Sequence, residues 1–371
     1  MIAEKGSIAK LGKILNHEQP RKVFVICGDR SFNLAKVTVD EVLGENYPQF
    51  IVKQSDVTIK MVNEAVDKLI LEKCDMVIGI GGGTIMDLAK MTSLFASNDN
   101  SIDDYIFKNK KVHNRKINLI LVPTTSGSGS EATQFAVVYN DLKKYSILHK
   151  SMLPDHVILD PELTFSLPPY QTAVSGMDAF CQGIESFWSV NSNAESRKLS
   201  LESIDLVLAN LVNAVTSPSE DSRYQMCKAA NLAGQAINIT KTTAPHALSY
   251  TINKVFGIPH GHAVSLTMPY IFQLHLECDK DNLNDSRGIS FFRKIMTTLS
   301  NKLKLTSSQT PISFFRNYME LIGLKTTIVN KEYSKEIIDL LIENINMERM
   351  NNNPVLIDRN NAKIIFNKVL V

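Results

Sequence analysis

Short apolar runs alternate with amphipathic stretches through the first third of the chain. KVFVIC (22–27) reads as a buried strand, SFNLAKVTVDEVL (31–43) as a helix and FIVK (50–53) as a strand. VTIKMVNEAVDKLILEK (57–73) follows as helix, DMVIGI (75–80) as strand, TIMDLAKMTSLFA (84–96) as helix and INLILVP (117–123) as strand. Strands separated by helices of this length predict a parallel, doubly wound α/β sheet. Beyond about Asp160 the pattern changes to long helical periods at 199–215, 222–239 and 335–350. The proline-rich joint DPELTFSLPP marks the switch, so the expected division is an α/β domain over 1–160 and an all-α domain over 161–371.

Composition narrows the class. Of 371 residues, 44% are hydrophobic and 21% charged, enough to bury a sizeable core. A net charge of +2 without any Lys/Arg run offers no footprint for nucleic acid. Five scattered cysteines lack a CxxC pair, which argues against a disulfide framework or a thiolate metal site and fits a reducing cytoplasm. No signal pattern and no uncharged apolar run near membrane-spanning length is present, so no membrane partner is expected.

Two small-residue loops sit at predicted strand ends. GIGGGTIMDLAK (79–90) joins a strand to a helix, where glycines admit a phosphate and the helix N-terminus offers unpaired N–H groups. Thr84 occupies the last glycine position of GxGxxG and no Walker lysine follows, so this is a pyrophosphate cradle outside the usual fingerprints. PTTSGSGSEAT (123–133) suits phosphate or ribose contacts, and it lacks the GxSxG elbow of serine hydrolases. After the first strand, Asp29 is placed to accept ribose hydroxyls and favours NAD, whereas Arg30 beside it favours a 2′-phosphate and NADP.

In GMDAFCQGIESFWS (176–189), Asp178 and Gln182 lie one helical turn apart on one face, with Glu185 further along the same side. Among eight histidines, His246, His260 and His262 cluster in TTAPHALSYTINKVFGIPHGHAV, and the others read as surface or packing residues.

Together, GGGTIMDLAK, PTTSGSGSEAT, GMDAFCQGIES and HALSYTINKVFGIPHGHAV, in this order and spacing, closely resemble the iron-containing (group III) alcohol dehydrogenases. The resemblance covers nearly the whole chain. It implies a nucleotide-binding α/β domain, a helical metal- and substrate-binding domain, an active site in the cleft between them, and a homodimer or higher homo-oligomer. It further implies that the cofactor is NAD, with NADP as the alternative. Asp29 would bind the adenosine ribose, Gly81, Gly82, Gly83 and Thr84 the pyrophosphate, Thr124, Thr125 and Ser128 the nicotinamide half, and Lys144 the nicotinamide ribose; Asp87 is carried over with this set.

The metal residues carry over in part. Where the family has aspartate and three histidines, this chain has Asp178, Gln182, His246 and His260, and a further family histidine is Tyr250. One carboxylate and two imidazoles already suffice for a catalytic divalent ion such as Fe, Zn or Mn. Gln182 is then a weak fourth ligand or a hydrogen-bonder. Tyr250 and His262 are the expected proton donors. Glutamine at that position, with TKTTAPHALSY and GIPHGHAV, resembles the phosphonoacetaldehyde reductase subgroup, which implies reduction of a small aldehyde to a primary alcohol. The anionic head would need a cation, for which Lys241 is the first candidate and Arg197 the second. A general alcohol dehydrogenase, a lyase of the dehydroquinate synthase kind and a metal-free nucleotide-binding relative are the alternatives.

Overall fold

The computed structural model describes residues 1–29, 31–141, 143–329 and 335–371. Arg30 therefore lies outside the described residues. The chain forms two compact units, Met1–Leu167 with Ser219–Gly234, and Pro168–Pro218 with Gln235–Val371.

The first unit carries the strands β1 (Ile2–Ala3), β2 (Val23–Gly28), β3 (Gln49–Val52), β4 (Met76–Gly81), β5 (Asn118–Pro123), β6 (Phe135–Asn140), β7 (Lys143–Leu148) and β8 (His156–Leu159). Six of them form a parallel sheet in the order β1-β8-β5-β4-β2-β3, as the alternating pattern predicts, and β6 and β7 form an antiparallel hairpin. Successive side chains of β2 enter opposite layers: Phe24 and Ile26 join one core, Val23, Val25 and Cys27 the other. The helices covering the sheet are α1 (Leu11–Glu18), α2 (Asn33–Leu43), α3 (Ile59–Leu71), α4 (Gly83–Phe95) and α5 (Ile102–Lys108). Strand order reverses at β2, with β3 on one side and β4 on the other. Ligands of open α/β sheets bind at the carboxyl ends of strands at such a point.

The second unit is helical. It contains α6 (Pro169–Trp188), α7 (Ala194–Thr216), the end of α8 (Glu220–Thr240), α9 (Ala244–Phe256), α10 (His260–Leu276), α11 (Ile289–Lys302), α12 (Pro311–Leu321), α13 (Lys335–Glu343), α14 (Met347–Met350) and α15 (Arg359–Val369). The helix expected over 335–350 is two helices, because the Asn346 side chain accepts the Arg349 N–H and starts α14 afresh. Among the described residues α7 alone is long and apolar enough, by length and composition, to cross a membrane. Its Leu211 and Ile204 fill notches that Gly176 and Gly183 leave on α6, so it packs there as a core helix.

Candidate active site

In the first unit, the carboxyl ends of β2, β4 and β5 bring the expected cofactor residues to one sheet edge. Asp29 is exposed just past β2, its N–H donating to the Val52 carbonyl at 3.3 Å. Gly82 is the N-cap of α4 and contributes no capping side chain, so the first amides of that helix are left for a ligand. The loop is held open by the absence of side chains. A Cβ at Gly83 would lie 2.9 Å from Ser128 Oγ, and one at Gly82 3.4 Å from Thr125. Such a cradle, closed by any larger residue, fits a pyrophosphate. Thr84 anchors its outer lip by donating to the Ser55 carbonyl at 2.6 Å, and the Thr124 N–H donates to the Gly81 carbonyl at 3.0 Å.

Two residues of the expected cofactor set stand apart. Asp87 turns its carboxylate to Ser130 Oγ and, at 2.8 Å, to the Val137 N–H, so it staples α4 to the next loop and hairpin. Lys144 is half-buried on β7, opposite Tyr139. Sequence reasoning overlooked Lys90, at the end of GGGTIMDLAK. Its fully buried ammonium donates to Ser130 Oγ at 2.7 Å, Thr133 Oγ1 at 2.9 Å and the Phe135 carbonyl at 2.9 Å. Burial lowers its pKa, against the pull of Asp87 and Glu131. Glu131, raised by burial, accepts from Asn231 at 2.9 Å. Gly129 and Gly234 pack backbone to backbone, with a Cβ on Gly129 only 2.6 Å from Gly234 Cα. That contact ties Ser219–Gly234, which holds most of α8, to the first unit.

In the second unit, Asp178 on α6, His246 on α9 and His260 at the start of α10 converge. One ligating atom from each lies within 4.8 Å of the others, a set that can hold a metal ion. Gly261 makes this possible. A Cβ there would sit 2.9 Å from Asp178 Cβ and clash with the Val174 carbonyl, so only glycine lets α10 start against α6. Nε2 of His246 faces Asp178 Oδ1 at 3.3 Å, and its Nδ1 bonds Glu185. The other oxygen of Glu185 accepts from the Thr243 N–H at 2.9 Å, Thr243 Oγ1 at 3.0 Å and the His246 N–H at 3.3 Å. This fully buried carboxylate fixes both the ring plane and the tautomer of His246. It was visible in the sequence as the third polar residue on one face of α6, yet spacing alone assigned it no partner.

Electrostatics follow from these contacts. Burial alone would lower His246, but Glu185 and Asp178 reverse this and hold its pKa at about 9. Burial works against ionising Asp178, and His246, His260 and Gln182 together keep its pKa below the usual range. The Gln182 amide thus acts on Asp178 as a hydrogen-bonder.

The expected proton donors and cations find other surroundings. His262 is buried, with Nε2 donating to the Lys325 carbonyl at 2.7 Å and Nδ1 bonded to the Tyr170 hydroxyl at 3.1 Å. Both ring nitrogens are engaged by these partners. Tyr250 stacks on His260, with ring centroids 5.4 Å apart and planes inclined by 12°. Burial raises its pKa, and Arg349 and Thr242, both hydrogen-bonded to it, oppose the rise. Lys241 pairs with Glu348 at 2.8 Å, and Arg197 is held by the Ser192 carbonyl at 3.1 Å and lies over the Phe291 ring at 5.4 Å. Both cations expected from sequence are therefore already engaged.

Residues 1–161 match the family described as iron-containing alcohol dehydrogenase, and residues 172–370 match the Fe-containing alcohol dehydrogenase family, C-terminal. A sulfoacetaldehyde reductase of Bilophila wadsworthia is 32% identical over 71% of this chain and 70% of its own length. A phosphonoacetaldehyde reductase of Streptomyces viridochromogenes is 28% identical over 84% of this chain and 80% of its own. The chain spans about three fifths of the length of other curated relatives it matches. Among solved structures, the sulfoacetaldehyde reductase of Bifidobacterium kashiwanohense in complex with NAD+ superposes with a TM-score of 0.85 at 27% identity, covering 99% of this chain and 96% of that one.

Proposed function

The chain belongs to the iron-containing alcohol dehydrogenase family, and from that premise we propose that it reduces a small aldehyde to a primary alcohol with NAD(P)H. Asp178, His246 and His260 are the proposed ligands of one divalent ion, and the observation that carries this is their convergence together with the Glu185 carboxylate on His246 Nδ1. A carboxylate and two imidazoles suit Zn²⁺, Fe²⁺ or Mn²⁺. When bound, such an ion supplies Lewis acidity toward the carbonyl oxygen, and the nicotinamide supplies hydride.

The rest is work for the chain's own residues. Glu185 holds the Nδ1 proton of His246, so Nε2 is the nitrogen that would give up its proton to a bound ion. Gln182 donates to Asp178 and limits its rotation. Tyr250 packs flat on His260 and keeps its proton through neutral pH, because burial raises it. For the cofactor, the glycine cradle and α4 amides take the pyrophosphate. Asp29 at the end of β2 supports NAD over NADP, since its carboxylate accepts ribose hydroxyls and repels a 2′-phosphate. The aldehydes named in two relatives set the first substrates to try.

The test is metal analysis of purified protein beside NADH and NADPH oxidation with an aldehyde panel. Close to one divalent ion per chain, and loss of turnover on chelation that metal restores, are expected. Full activity of rigorously metal-free protein refutes the assignment.

A further inference from the structure

Lys90 is fully buried on α4, yet each of its three ammonium protons has a destination. Ser130 Oγ lies 2.7 Å away, Thr133 Oγ1 2.9 Å and the Phe135 carbonyl 2.9 Å. Both hydroxyls commit their own protons elsewhere, Ser130 to Asp87 and Thr133 to the Ser130 carbonyl at 3.1 Å. All three groups therefore accept from Lys90, which requires the charged NH₃⁺ form, and Asp87 Oδ1 supplies the counter-charge at 3.6 Å. The network continues towards the cofactor loop. The Ser130 N–H donates to Ser128 Oγ at 3.3 Å, and that oxygen stands 2.9 Å from where a Cβ on Gly83 would lie. The ammonium is thus two loop residues away from the wall of the glycine cradle.

Desolvating an ammonium is unfavourable, and an apolar side chain of similar volume could fill the same space without that cost. What the ammonium adds is direction. Its three N–H bonds specify one conformation for the segment from Ser130 to Phe135. This segment continues from SGSGS (126–130), whose two glycines give the backbone wide freedom when it is not anchored. On one side the loop is held by α8, through Gly129 against Gly234 and Glu131 with Asn231 at 2.9 Å. Lys90 is the anchor on the α4 side, the helix whose first amides face the cradle.

We propose that Lys90 is a positioning residue for the dinucleotide: through Ser130 and Ser128 it sets the loop wall of the pyrophosphate cradle before the cofactor arrives. This rests on the cofactor-cradle reading above and deepens it. Binding then need not order the loop, so affinity for NAD(H) depends on Lys90, whereas the metal-ligand trio and the aldehyde do not.

The experiment measures NADH Kd by fluorescence titration, together with kcat, the KM for NADH and for aldehyde, and metal content, in the wild type, Lys90→Met, Thr133→Val and Thr133→Ser. Lys90→Met keeps an unbranched stem and removes all three donors, so NADH Kd should rise about 10-fold or more, because loop ordering then falls on the binding step. Thr133→Val removes one acceptor with little change in volume and should raise Kd severalfold; Thr133→Ser keeps the hydroxyl and should stay within about twofold of the wild type. At saturating NADH, kcat and the aldehyde KM should stay within about threefold, with metal content unchanged. Hydrogen exchange over residues 124–137 of the wild type should be equally slow with and without NADH, whereas Lys90→Met should need NADH to reach that protection. The threonine pair and the wild-type exchange decide the matter even where Lys90→Met does not fold. Unchanged NADH affinity in Lys90→Met, equal affinities in the two threonine variants, or a wild-type loop that slows markedly on adding NADH would overturn the proposal. So would losses shared alike by NADH binding, aldehyde KM and metal content, which mark a plain structural role. A wild type that binds neither NADH nor NADPH refutes the cradle reading itself.

Discussion

Replacing Glu185 by glutamine isolates the role of a residue that need not touch either metal or substrate. The carboxylate accepts from three donors on one oxygen and from His246 Nδ1 on the other, in a fully buried setting. A glutamine can serve the three-donor side only with its carbonyl oxygen, which turns its NH₂ towards His246. Two donors then oppose one another, and relief comes when the imidazole gives up its Nδ1 proton and retains the one on Nε2, the nitrogen facing Asp178. A protonated Nε2 cannot ligate. Loss of an outer partner of this type typically lowers metal affinity 10- to 100-fold, or about 1.4–2.7 kcal/mol. The metal-free protein should also lose one charge-assisted hydrogen bond, about 2 kcal/mol. Competition titration with a chromophoric chelator gives the first quantity and the thermal unfolding midpoint with and without EDTA the second. Wild-type metal affinity in Glu185→Gln would refute the idea that this carboxylate sets the His246 tautomer.

Two further outcomes are open to measurement. Gly261→Ala places a methyl group 2.9 Å from Asp178 Cβ and into the Val174 carbonyl, so α10 must shift away from α6; metal content should fall severalfold and stability by about 1–3 kcal/mol, and unchanged metal stoichiometry would exclude the close-approach argument. His275 is buried against Trp188 and Phe292, and burial lowers its pKa to about 3. Because the folded value lies below the unfolded 6.5, the unfolded chain binds the extra proton, and stability falls as pH drops from about 6.5 towards 3. His275→Leu should therefore lose about 2 kcal/mol less than the wild type between pH 7 and pH 5, read from urea midpoints, and parallel pH profiles would contradict it.

Much of this protein was legible in local pattern. Apolar runs over 22–27, 75–80 and 117–123 became β2, β4 and β5, because strand and helix periods depend on neighbours a few residues away. Asp178, His246 and His260 were recognisable together because each sits in a short motif with its own spacing, and the fold brings all three within reach of one ion. The break at Asn346 escaped the pattern because a single capping side chain decided it. The uses of Glu185, Gly261, His262 and Lys90 depended on partners far along the chain. Glu185 acquires its meaning from His246 and Thr243, Gly261 from Asp178, His262 from Lys325 and Tyr170, and Lys90 from Ser130 and Thr133. A hydrogen bond or a steric limit between such residues is set by how helices pack, and packing leaves no period in the sequence. Sequence by itself determined the fold class and the candidate metal-ligand trio. Tertiary structure alone decided which buried groups orient that trio, and which cations are already taken.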